Sequence, residues 1–189
     1  MKSFSKLFVF ALTTACAFFL APAQQLIAAD TNAISAVKGD KLYTQFSLFY
    51  EDNVHRTTNY RKGVLVPINT EVTFVKANKK EIDVIISDDT ELKIVNIQKY
   101  SGENINGIFH RTFGKTPVDL SRFSTKEKSS IEAGEVEAGM SKDAVIAALG
   151  YPPKHQTPTL KSNHWRYWHN LFKTFVVHFE NDKVTSIQE

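Results

Sequence analysis

Apolar positions recur at a period of two over residues 42–97. Leu42, Thr44, Phe46, Leu48 and Tyr50 fall on one face of an extended chain, as do Val72 with Phe74, then Ile82, Val84 and Ile86, then Leu92 with Ile94. Val64 to Val66 is a short apolar run closed by Pro67, and turn residues interrupt the pattern at Asn78-Lys79-Lys80 and Ser87-Asp88-Asp89. Short strands with turns at about 8–12-residue spacing predict a small barrel or sandwich. Ser101-Gly102-Glu103-Asn104 and Asn106-Gly107 read as turn material, and Ile108 to Phe113 as one more strand.

The period then changes. Ser124 and Glu127 have the spacing of a capping box, which predicts a helix from about Ser124 to Gly134. Ser141 caps a second helix, with Asp143 in its first turn and Val145, Ala148 and Leu149 on one face. Gly150 and Pro152-Pro153 end it. Trp165 with Tyr167, then Phe175, Val177 and Phe179, then Val184 with Ile187 predict three antiparallel strands, with a turn at Asn181-Asp182-Lys183. A helix of about eight residues is marginal alone, so these helices must pack on those strands.

At the N-terminus the pattern is of another kind. Lys2 and Lys6 precede an uncharged run from Leu7 to Leu20, and small residues follow at Ala21-Pro22-Ala23 and Ala28-Ala29. This is the pattern of a secretory signal peptide over residues 1–29, cleaved after Ala23 or Ala29. An uncleaved N-terminal anchor is one alternative, although the run falls short of the about 20 residues a bilayer span needs. Lipidation at Cys16 is another, but Leu12 lies one position too far upstream and the apolar run continues past the cysteine. Export to the periplasm or the periphery of the outer membrane is therefore expected. The chain divides into a signal (1–29), a linker (30–40), a small β-domain (41–120) and a helix–strand module (121–189).

The net charge of +3 falls to +1 once Lys2 and Lys6 are removed, too balanced to predict nucleic-acid binding. The one cysteine lies in the signal, so the exported chain has no disulfide and no thiolate chemistry. Its core alone must hold it, and 14 Phe in the whole chain supply bulk for that.

Two resemblances add to this. Gly63-Val64-Leu65-Val66-Pro67-Ile68-Asn69-Thr70-Glu71-Val72 resembles the glycine-led strand and turn of bacterial SH3-like barrels, over about residues 40–100. Ile131, Gly134, Val136, Gly139-Met140-Ser141-Lys142, Val145, Leu149-Gly150, Pro152, Trp165, Tyr167, Val177, Phe179 and Val184 together resemble the BamE (SmpA/OmlA) family of envelope proteins. The second resemblance implies a module like the β-lactamase inhibitor protein and an accessory role in outer-membrane protein assembly. The expected class is thus α+β: a small all-β (SH3-like) barrel followed by a two-helix, three-strand module. A non-catalytic protein-binding or scaffold role in the envelope is expected, with no cofactor. Its partners would be envelope proteins, with assembly components among them and peripheral membrane association as an option.

Candidate binding residues lie on the outer face of the aromatic strand. His164, Arg166 and Trp168 alternate against Trp165 and Tyr167 and should point away from the core, with Tyr151 and His155 in the adjoining stiff loop. Cell-wall or glycan binding by the β-domain is the alternative, drawing on Tyr43, Phe49, Tyr50 and Tyr60. Catalytic and metal patterns are weak. His55, His110, His155, His164, His169 and His178 include no HExxH and no helical i, i+4 pair, so no metal site is expected. Gly114-Lys115-Thr116 ends like a phosphate-binding loop, but Phe109 stands where the motif needs glycine. No G-x-S-x-G elbow is present.

Overall fold

The structure, a computed structural model, describes residues 33–86 and 89–189. The expected signal at 1–29, with Cys16, lies outside the described residues, as does the Ser87-Asp88 part of the predicted turn. The described residues fold as one compact unit around two hydrophobic cores.

The first core is built by alternation. Strands β1 (Lys41–Thr44), β2 (Leu48–Tyr50), β3 (Val54–Arg56), β4 (Val64–Val66), β5 (Glu71–Ala77), β6 (Glu81–Ile86) and β7 (Glu91–Val95) come first in the chain. Register places Leu42 opposite Val72, Phe74 opposite Val84, and Ile82 opposite Ile94, so one face of the sheet is continuously apolar. A bulge between Phe74 and Lys76 bends β5. Helices α1 (Gln98–Ser101) and α2 (Ile105–Thr112) and the two-residue strand β8 (Phe113–Gly114) follow.

The second core joins α3 (Thr125–Ala133) and α4 (Lys142–Leu149) to the sheet β9 (His164–Trp168), β10 (Thr174–Glu180) and β11 (Lys183–Gln188), in the order β11-β10-β9. Trp165, Tyr167, Val177, Phe179 and Val184 face Ile131, Met140, Val145 and Leu149 inside it.

The expected fold class is corrected by this architecture. Among the described residues the chain is mostly β, with four helices and a curled six-stranded sheet in the order β3-β7-β6-β5-β1-β8; it is not a small all-β barrel followed by a two-helix, three-strand module. The segment read as turn and strand is largely helical. Asn104 caps α2 by accepting from the Gly107 amide, and Ile105, Ile108, Phe109 and Thr112 fall at helical spacing on the buried face. Only Phe113–Gly114 pairs as a strand, with β1. Strand β3 pairs parallel to β7, so β3 and β8 stand at opposite ends of the sheet instead of closing it.

The two cores also share a seam. Ile68, from the first half, is buried in the second core. The Ser47 amide donates to Ala147 O at 2.9 Å, its hydroxyl donates to Ile131 O at 3.0 Å, and it accepts from the Ile68 amide. Asn59 Nδ2 donates to Leu149 O at 2.6 Å and to Tyr151 O at 3.1 Å.

Helices α3 and α4 are held together at both ends. The Glu127 carboxylate accepts from the amide and hydroxyl of Ser124, each at 3.0 Å, and from the amide and hydroxyl of Ser141, each at 2.9 Å. These serines are the N-caps of α3 and α4. At the far end the Arg61 guanidinium donates to Gly134 O, Ala148 O and Leu149 O while lying 4.4 Å from the centre of the Phe49 ring. The helices therefore run side by side in the same sense. Their dipoles repel, and an anion at both N-termini with a cation at both C-termini offsets that repulsion.

Candidate functional site

The predicted site residues divide into three places. His155 and Trp168 come together: their rings stack at 6.4 Å with 23° between planes. Two further rings extend the contact. Tyr100 lies 4.6 Å from His155, and Tyr60 meets Trp168 edge-on at 6.5 Å. Lys99 Nζ sits 4.6 Å from the Tyr100 ring centre. The result is a row, Tyr60–Trp168–His155–Tyr100, drawn from four separate segments. His155 in it is exposed and the other three are half-buried.

Backbone pairing positions the row. Tyr60 and Trp168 form a parallel bridge, the Arg61 amide donates to Trp168 O at 3.0 Å, and the His155 amide donates to Tyr100 O. Arg166 stands beside Trp168 on the outer face of β9. Its Nη1 donates to Thr174 Oγ1 at 3.1 Å, and its backbone amide to Thr157 Oγ1 at 3.0 Å. His164, at the far end of β9, packs on His178 across the strand pair at 4.9 Å. Tyr151 lies apart from the row, edge-on to Phe46 at 5.9 Å and beneath Arg111.

One feature of this surface is missing from the sequence reading. Residues 169–173 connect β9 to β10, and Leu171 and Phe172 at the tip are 62% and 90% exposed. The tip is held firmly: Asn170 Oδ1 accepts from the amides of Phe172 and Lys173, and the His169 amide donates to Lys173 O. A readable signal exists, since two large apolar residues fall in a connection that must be a turn. Tyr100 was not signalled at all, because its place depends on α1.

The aromatic residues considered for glycan binding have different surroundings. Tyr43 donates to Glu71, Phe49 lies under Arg61, Tyr50 packs against the first core, and only Tyr60 joins the row. The histidines are similarly dispersed, and among the described residues no group of three or more His, Cys, Asp or Glu is placed to hold a metal ion. His55 is buried, and its Nδ1–H donates to Phe49 O at 2.8 Å. Burial pulls its pKa down to about 4, opposed by that hydrogen bond, with Arg61 and Arg111 lowering it further. It is a neutral structural group. Among the described residues, no helix is long and apolar enough to cross a membrane.

No protein-family model matches the chain, and neither a curated protein nor a solved structure matches it.

Proposed function

We propose that this chain is a non-catalytic cell-envelope protein that binds another protein through the aromatic row and the hairpin tip beside it. The observation that carries the reading is the exposed Leu171-Phe172 pair, fixed on an Asn170 turn two residues beyond the row's Trp168. A rigid tip loses little conformational freedom on docking, and large aromatic side chains with adjacent basic residues are the groups that dominate interface energetics. The two side chains form a contiguous apolar tip beside the aromatic row, and contiguous apolar surface rimmed by polar groups is characteristic of interaction sites. Export through residues 1–29 and the resemblance of residues 131–187 to BamE proteins support an envelope partner, with outer-membrane assembly components as the first to test. Glycan binding is the second reading, favoured by the near-parallel stack of His155 on Trp168.

The test is site-specific photo-cross-linking in intact cells, with the cross-linker at position 171 and, as control, at exposed Lys79. We expect a discrete protein adduct from 171 only, lost in Trp168→Ala and Phe172→Ser variants whose thermal midpoints match the parent. An adduct pattern unchanged by both substitutions overturns the assignment. Retention on purified cell wall that depends on Trp168, with no protein adduct, replaces it by the second reading.

A further inference from the structure

A second recessed surface lies away from the aromatic row, where α2 faces the loop after α4. One concavity of about 520 Å³ is bordered by Glu103, Lys154, Pro152 and Pro158. Another of about 470 Å³ is bordered by Gln45, Val118, Arg122, Asp143 and Ile146. Both are walled by His110, Arg111, Tyr151 and Leu160, so they form one trough with Arg111 at its middle.

The charges along the trough leave one cation over. Arg122 pairs with Asp143 at 3.4 Å, and Lys154 lies 4.0 Å from Glu103. Arg111 is half-buried, yet among the described residues its guanidinium makes no hydrogen bond and no salt bridge. Its one ring contact is the face of Tyr151, at 5.0 Å, and the Glu103 carboxylate, already 4.0 Å from Lys154, acts on it only through space. Arg61 shows the contrast: a guanidinium drawn into this fold for structural reasons is met by several carbonyls. A partly desolvated arginine without acceptors is unfavourable, and its planar fork fits a carboxylate bidentately. Around it the walls are partly apolar, with Leu160 41% exposed and Ile146 and Pro158 nearby, and partly hydroxylic, with Thr157 and Thr159.

We infer that this trough binds a peptide carboxylate, seated on Arg111 above Tyr151, with small aliphatic neighbours against Leu160 and Ile146. The carboxylate belongs either to a chain terminus or to an acidic side chain. One anionic group is what the charge balance leaves room for, and the trough's dimensions suit about three residues. This site does not depend on the aromatic row, so the two stand or fall separately.

Calorimetric titration of the purified protein with three probes tests it: N-acetyl-Ala-Leu-Ala with a free carboxylate, its C-terminal amide, and N-acetyl-Ala-Glu-Ala amide. Saturable binding is expected for at least one carboxylate probe, with the uncharged amide weaker by about tenfold or more, the loss that follows removal of a charge-assisted hydrogen bond. Which carboxylate probe binds assigns the terminus or the side chain. Arg111→Met, which retains the stacking bulk, should lose the preference for acid over amide. Equal binding of acid and amide, or no saturation by either acid at millimolar concentration, overturns the proposal. The comparison on the parent protein decides even if Arg111→Met does not fold. Amide NMR shifts confined to α2 and residues 151–160 are expected; shifts confined to other regions overturn it as well.

Discussion

Replacing Glu127 by Gln should destabilise the fold strongly, because one carboxylate caps two helices. Burial by itself would raise the pKa of this carboxyl group. Hydrogen bonds from the amides and hydroxyls of Ser141 and Ser124 outweigh that and hold it at about 2, against 4.5 for the free group. Lys183 Nζ, 3.5 Å away, adds a favourable charge. A shift of this size corresponds to about 3 kcal/mol of stability, a large part of the about 5–15 kcal/mol typical of a domain. Its sign is set by the unfolded chain, which takes up the proton first. The contribution is complete above about pH 4.5 and is lost as pH falls towards 2. In Glu127→Gln the amide group of the side chain meets donors on one serine and leaves them without an acceptor, at any pH. Urea unfolding at a series of pH values measures both effects. The parent should exceed Glu127→Gln by about 3 kcal/mol at pH 7, and the gap should narrow below about pH 4.5 and close as pH falls through about 2. A gap under about 1 kcal/mol at pH 7, or one unchanged at acid pH, would refute the double-cap argument.

Two further outcomes follow from His55 and Gly63. His55, with a pKa of about 4 instead of 6.5, is protonated more readily in the unfolded chain, so stability should already decline between about pH 6.5 and 4, by up to about 3 kcal/mol. His55→Gln should flatten that slope in urea titrations without touching the lower-pH step from Glu127, and an unaltered slope would count against the assignment. Gly63 has φ +93°, and a Cβ there would lie 2.1 Å from Tyr50 O, a backbone atom. Gly63→Ala should cost about 3 kcal/mol or more, whereas Gly39→Ala, at φ +98° with open space around it, should cost only the about 1–2 kcal/mol of left-handed strain. Equal thermal midpoints for the two variants would contradict the clash.

What the sequence made legible is what short-range physics writes into it. Ser124 with Glu127 is a local reciprocal cap, Ser141 and Gly150 bound one short helix, and β9 shows its two faces by alternation, with Trp165 and Tyr167 buried and Arg166 and Trp168 less so. The second half of the Glu127 device was out of reach, because nothing local says that the same carboxylate also serves Ser141, 14 residues on. Residues 101–113 were misread because two signals conflict there. Asn106-Gly107 is turn chemistry and glycine disfavours helix, yet burial of Ile105, Ile108 and Phe109 on one face of α2 outweighs about 1 kcal/mol of propensity. That single reassignment also hid the trough, since it is the helical turn that sets His110 and Arg111 at its middle. The deepest misses share a cause. Arg61 finds its helix-end acceptors 73 to 88 residues away, and Tyr60 finds Trp168 across a still longer span of chain. A cation with no nearby carboxylate and an isolated tyrosine carry no pattern in one dimension. In three dimensions the same short segment, Thr57–Arg61, closes the seam, ends both helices and starts the aromatic row. The surface proposed for binding is therefore built on the joint between the two cores, and its geometry depends on that joint staying closed.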